Sequence, residues 1–490
     1  MPPMATAKGG NALRSDPFDR RQGKTITRSK TKMSHLYDSW HSDYKTPFGA
    51  VYQGRVVFFR IRLPKEMQPD YSPCLVLFRP GYRERFINMY PVREEEDCRV
   101  WECGYIPKYC GVHYYYFAYT YQGQRYYIKR VVGHIGNLND GDLFQLTVYD
   151  ADYKTPEFLK GGIMYQIFPD RFCKSGEPHE NIPDGRVMRN WGETPYYRPD
   201  EHGHVWNNDY FGGDLKGIQQ KLSYLQELGV TCLYLNPIFE AHENHRYNTA
   251  NYRKVDPLLG TNEDFAELCA EAKKYGISVI LDGVFSHTGA DSIYFNKYGR
   301  YDTTGAYQSQ ESEFYPWYTF YDFPNVYEAW WGIDTLPNVQ ENNPDYTRYI
   351  CGEGGVLDYW LSLGAAGFRL DVADELPDEF LENLRTRVKK NGSEKIVIGE
   401  VWEDASNKEA YGIKRRYLIG SQLDSVMNYP FREAVINYIK GMSSRDFRRW
   451  IVGIMENYPK ETIDVLMNFL STHDIERAIN RFGGESCHDK

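Results

Sequence analysis

The chain has 490 residues, more than one ordinary domain needs, and its 67 acidic against 58 basic residues leave a net charge of -9. Two or three domains are expected, and nucleic acid is excluded as the main partner because phosphate binding calls for the opposite charge balance. No run of about 18 apolar residues occurs, so no helical membrane span is expected.

The first 32 residues carry eight Lys or Arg against two Asp and no apolar run of signal-peptide length. They are expected to be a basic, disordered extension, with MSHLYDSW at Met33 resembling a natural start. Residues 33–155 are expected to form an N-terminal β-sandwich resembling a carbohydrate-binding domain. Short alternating runs (VVFFRIRLP, CLVLF, HYYYFAYTY, DLFQLTVYD) are separated there by Gly, Pro and Asp.

From 156 to 490 the rhythm changes to strand-like runs alternating with amphipathic helices, for instance at 215–229 and 262–276. Strands are predicted at 162–169, 231–239, 277–285, 367–374, 395–402, 425–431 and 465–474. Polar clusters end each of them, so the expected fold is a (β/α)8 TIM-type barrel, with a doubly wound sheet as the alternative. A long aromatic segment at about 288–345 follows the third strand as an inserted subdomain, and loops of that length are usually functional. The chain stops sixteen residues after Asp474, so the last strand and helix of the barrel are expected to be missing.

Nine scattered cysteines, with no CxxC pair and no clustered His, fit reduced thiols in a cytoplasmic protein. The aromatic share of 16%, with 42 Tyr and 10 Trp, suits both cores and flat platforms for sugar rings.

The stretch GFRLDVADE (367–375) places Arg369 and Asp371 inside a buried strand, where an unpaired carboxylate would cost several kcal/mol. Alternation puts Arg369, Asp371 and Ala373 on one face, so Arg369 is expected to hold Asp371 ionised with a lowered pKa. Asp282, Glu400 and Asp474 close three further strands. Four strand ends thus deliver carboxylates to one rim, and two close carboxyl groups suffice for retaining glycoside hydrolysis. Asp371 beside Arg369 is the natural nucleophile. Glu400, set between apolar IVIG and Val401–Trp402, is the natural general acid, and Asp474 is placed to favour an oxocarbenium-like transition state.

The four segments DGVFSH (282–287), GFRLDVADE (367–375), GEVW (399–402) and STHD (471–474) resemble, in order, the four short regions of the α-amylase family of glycoside hydrolases. The resemblance implies Asp371 as nucleophile, Glu400 as acid/base and Asp474 as transition-state stabiliser. It further implies Tyr165, His245, Tyr247, Asp282, His287, Arg369, Trp402 and His473 around the bound sugar. Tyr165, from YQIFPDRF, would stack on the sugar in the first subsite, and His245 and Tyr247, from NHRYNTANY, would touch it. His287 falls off the Asp282 face and is expected in the loop beyond the strand.

The segments VMNYPF and LPNVQ, with the added β-domain, resemble the neopullulanase, cyclomaltodextrinase and maltogenic amylase subgroup. That resemblance implies cleavage of α-1,4 bonds in cyclodextrins, pullulan, maltooligosaccharides and starch, and a homodimer. An α-glucosidase or glucan transferase on the same scaffold, and a non-catalytic glycan-binding relative, are the alternatives. Ser286 stands where the family commonly has the calcium ligand Asn, and CKSGEPHEN (173–181) matches the family's calcium loop only in part, though Glu177, Asn181 and Asp214 offer oxygens. No metal or other cofactor is therefore expected to be required, with a structural calcium as the alternative. Asp374 and Glu403 replace the subgroup's usual Asn and His.

Overall fold

The computed structural model describes residues 35–180, 182–203 and 205–484. The extension expected over 1–32, together with Asn181 and Cys487, lies outside the described residues.

Alternation builds the N-terminal part. In the strand Val57–Pro64, Val57, Phe59, Ile61 and Leu63 are buried while Phe58 faces out. This strand pairs antiparallel with Cys98–Tyr105 in a four-stranded sheet. An eight-stranded sheet built around Gly111–Tyr121 contributes Tyr115, Phe117 and Tyr119 to the same apolar cluster. All its pairings are antiparallel except Val51–Tyr52 beside Phe144–Tyr149. Each large side chain enclosed between the sheets contributes about 1.5–3 kcal/mol. A polar seam joins these sheets to the rest of the chain. Gln145 donates to Ser406 Oγ at 2.9 Å and accepts from Asn407 at 2.8 Å, and the Trp40 indole donates to Glu456 at 2.7 Å.

The second part is a curled parallel sheet whose strands neighbour one another in chain order: Ile163–Ile167, Val230–Leu235, Ser278–Gly283, Gly367–Leu370, Ile396–Gly399 and Ser425–Val426. A doubly wound sheet would reverse its order part-way, so the barrel topology is the one observed. Cys232, Tyr234, Ile280, Ile396 and Ile398 pack on the inner face with Met427, while Leu233, Leu235, Val279 and Leu281 pack on the outer, helix-covered one. Gly367 begins the fourth strand at φ +150°, where a Cβ would lie 2.0 Å from the Ile396 carbonyl oxygen. Only glycine fits there.

The helix Asn262–Lys274 carries a capping box, Thr261 with Asp264, and has Glu263 early and Lys273 and Lys274 late, as the macrodipole favours. The single helix expected over 215–229 is instead two, Leu215–Gln219 and Leu222–Glu227. Between them the Lys221 amide bonds to the Ile218 carbonyl, a tighter i to i+3 bond that breaks the ladder.

The strand expected at 465–474 is also corrected. Met467 makes one parallel bridge with Met427 and the following residues are irregular. Side chains of the neighbouring helix take up its polar groups: Asn428 donates to Asn468 Oδ1 at 2.8 Å and Arg432 to the Leu470 carbonyl at 3.0 Å. Among the described residues no strand pairs with the outer edge of Ile163–Ile167.

The segment 288–345 spends most of its aromatic residues on its own core. Phe295 packs against Tyr307, Tyr318, Phe320 and Tyr327, and Tyr294 against Phe314 and Trp317.

Candidate active site

Asp282 and Arg369 are register partners on adjacent strands, and the Arg369 backbone pairs on its other side with Ile398, two residues before Glu400. The wholly buried Arg369 guanidinium is thereby set between three strand ends. Its Nη1 donates to Asp282 Oδ1 and Asp371 Oδ1, each at 2.8 Å, and its Nη2 to Glu400 Oε2 at 2.7 Å. The sulfur of Met427 lies 3.4 Å from Nε.

After Leu370 the fourth strand ends and the chain turns through Val372, which has φ +38°. This turn aims the Val372 amide at Glu400 Oε2, 2.9 Å away. It also carries Ala373 into the outer core rather than onto the inner face with Asp371, contrary to strict alternation. Trp402 donates its indole N–H to Glu400 Oε1 at 3.0 Å and stacks on Tyr429 at 4.2 Å.

Around Asp282 the network extends to the first and last segments. Tyr234 and Tyr247 donate to Asp282 Oδ2 at 2.5 and 2.8 Å. The Tyr247 hydroxyl is 2.5 Å from His473 Nε2, and the Gln166 amide nitrogen is 2.7 Å from His473 Nδ1. With the ring proton on Nε2, His473 donates to Tyr247 and accepts from Gln166. Burial keeps His473 neutral, its pKa pushed down to about 3. Asp474 Oδ2 is 3.2 Å from the same Nε2.

Burial, with the sharing of Arg369, corrects the expectation for Asp371. Burial pushes its pKa well above the usual range; Arg369 opposes this, while Glu400, Asp282 and Asp474 reinforce it. The expected lowering assumed one guanidinium for one carboxylate, whereas this guanidinium serves three. Burial and the Glu400 charge likewise push Asp474 up to about 7.

Residues 166–490 match the family described as "Alpha amylase, catalytic domain". The chain belongs to the α-amylase family. Its relatives include an amylopullulanase of Thermoanaerobacterium thermosulfurigenes, 34% identical over 92% of this chain and 26% of that protein. Neopullulanase 2 of Thermoactinomyces vulgaris is 34% identical over 68% of this chain and 54% of that protein. The chain thus spans about a quarter to about half of the length of these relatives. Among solved structures, the type III pullulan hydrolase of Thermococcus kodakarensis is similar with TM-score 0.59 and 25% identity, covering 92% of this chain and 75% of that one.

Within this α-amylase-family site the expected residues are not all where the sequence put them. Asp282, Arg369, Asp371, Glu400, Trp402, Tyr247, His473 and Asp474 converge through the contacts above. His245 joins at one remove: its ring accepts from the Tyr247 amide at 3.0 Å and contacts Glu243 at 2.6 Å. His287 lies in the loop beyond the third strand, its Nδ1 3.0 Å from Ser286 Oγ and its buried Nε2 without a hydrogen-bond partner. Burial holds it neutral, with a pKa of about 3.

Tyr165 is the correction. It is in register with the outward Leu233, packs edge-on against Phe172 and joins the helix-covered cluster, so it does not face the pocket. Strand alternation gives the inward place to Gln166, a residue the sequence reading passed over. Tyr234 was also missed. Its position two residues after inward Cys232 in a buried strand was the available signal.

Of the candidate calcium oxygens, those of Asp214 and Glu177 are already engaged by donors. Asp214 accepts from Ser175, His179 and the Gly217 amide, capping a short helix, and Glu177 pairs with Lys216 at 2.6 Å. Ser286 Oγ is committed to His287. Hydrogen-bond donors and the Lys216 ammonium fill the places a calcium ion would take at these groups, so Asp214, Glu177 and Ser286 do not fit one.

Proposed function

We propose that this chain hydrolyses α-1,4-glucosidic bonds of α-glucans, namely cyclodextrins, pullulan, maltooligosaccharides and starch, with retention of configuration. The observation that carries the reading is the single Arg369 guanidinium bonded through its two terminal nitrogens to Asp371 and Glu400. That spacing supports a short carboxyl separation of the kind retaining enzymes use, about 5–5.5 Å.

In this reading Asp371 attacks the anomeric carbon while Glu400 protonates the departing glycosidic oxygen, and Glu400 then takes a proton from the water that releases the sugar. The Val372 amide and Trp402 indole orient the two Glu400 oxygens. Asp474, 3.2 Å from the neutral His473 ring, favours the cationic transition state through the negative charge it carries once ionised. The neutral His287 ring, whose Nε2 has no hydrogen-bond partner, is the donor assigned to the sugar in this reading.

A cytoplasmic location is part of the proposal, supported by the free thiols of all eight described cysteines. No helix among the described residues is long and apolar enough to cross a membrane. A homodimer is proposed from the family resemblance, and sedimentation showing only monomer at micromolar protein would remove it.

Proton NMR of the first product from maltotriose or cyclodextrin tests the mechanism. The α-anomer is expected first, with Asp371→Asn and Glu400→Gln folded but nearly inactive; an initial β-anomer would overturn the nucleophile assignment.

A further inference from the structure

Two acidic residues remain that the proposed chemistry does not use. Asp374 lies three residues past Asp371, and Glu403 three residues past Glu400. Both are bonded to the same lysine: Lys408 Nζ is 3.1 Å from Asp374 Oδ2 and also pairs with Glu403. The lysine is mostly enclosed, with 14% of its side chain exposed. Burial works against its charge, and the two carboxylates more than offset that.

The other Asp374 oxygen accepts from the buried Tyr417 hydroxyl at 2.6 Å, so that carboxylate is held on both sides. On the far flank, Gln145 of the N-terminal sheet grips Ser406 and Asn407, directly before Lys408. Lys408 thus stands between a segment pinned from outside and the turn that leaves the proposed nucleophile.

That turn needs holding. Val372 sits at φ +38°, a conformation a β-branched residue rarely adopts and one that persists only where surrounding bonds over-determine it. The Val372 amide is one of those bonds, because it reaches Glu400. A shift of the turn would therefore move Asp371 relative to Glu400.

We propose that Lys408 is a positioning residue which, through Asp374 and Glu403, locks the loop after the fourth strand to the loop after the fifth and so fixes the placement of Asp371 against Glu400. The proposal rests on the glycosidase reading for its kinetic consequence, but the locking itself can be measured without turnover. It acts at a distance from the sugar, since none of the three groups need touch substrate.

The test compares the full chain with Lys408→Met, Lys408→Arg and the charge-free triple variant Asp374→Asn/Glu403→Gln/Lys408→Met. Amide hydrogen exchange over 371–376 is expected to quicken in Lys408→Met and to return towards the parent rate in Lys408→Arg. Turnover of cyclodextrin should fall about ten- to hundredfold in Lys408→Met with KM little changed, as expected for a misplaced reacting pair. In the triple variant, which leaves no unpaired carboxylate, exchange should stay fast, separating loss of the lock from stray charge.

Unchanged exchange in Lys408→Met would overturn the proposal whatever the enzyme cleaves. Fast exchange with unaltered kcat would overturn the catalytic consequence alone. A parent chain with slow exchange but no activity on any α-glucan would overturn the glycosidase reading and leave the lock standing.

Discussion

Arg369 and Asp282 face each other in register across adjacent strands, 2.8 Å apart, and neither side chain exposes any surface. The pair is one arm of a three-carboxylate cluster around a single cation, so the loss of Arg369 strands three negative groups in the interior. Arg369→Met is expected to lower stability by about 3–5 kcal/mol, the usual cost of breaking a buried pair. The loss should be larger at pH 8 than at pH 5, because burial raises the pKa values of Asp371 and Asp282 and protonation of these two relieves the cluster at the lower pH. Thermal unfolding at both pH values measures it, and equal losses would contradict the shared-cation account.

In the proposed mechanism Asp371 must be ionised to attack. Burial holds its pKa above the ordinary range, so on acidification it gains its proton at a higher pH than a free carboxylate, about 3.9. The acidic limb of kcat/KM is therefore expected above that value. A profile flat down to pH 4 would show that Arg369 prevails over burial.

Asp474 couples function to stability. Its pKa rises from an unfolded value of about 3.9 to about 7 in the fold. Below pH 4 both states hold the proton and the fold bears no penalty. As pH rises to 7 the unfolded chain releases its proton first, and the native state loses stability. Asp474→Asn should thus raise Tm at pH 8, raise it little at pH 4, and cut turnover at both. A Tm difference independent of pH would refute the burial of this charge.

Chelation is expected to leave activity and Tm essentially unchanged, since Asp214 and Glu177 already accept from Ser175, His179, Gly217 and Lys216. Complete loss with EDTA, restored by calcium, would show a cation site made of other groups.

How much of this was legible in the sequence depends on how local the signal is. Strand ends are marked by abrupt changes from apolar to acidic residues, and so Asp282, Asp371 and Glu400 could be placed on one rim before any coordinates. The outward turn of Tyr165 was legible too, had alternation been counted from the inward Gln166. The sharing of Arg369 among three carboxylates was not, because it depends on the register of three strands distant in sequence. Nor was the irregularity after Met467, where Asn428 and Arg432 of a neighbouring helix replace backbone partners.

Gln166 and His473 meet at 2.7 Å although 307 residues separate them. Closing so long a loop is entropically unfavourable, so the contact draws on the order of everything between. A ligand spanning the two would act as a clasp on the entire sheet. A segment of this chain ending short of His473 would keep Arg369 and its three carboxylates as a charged nest, without the ring that joins Tyr247 to the first strand.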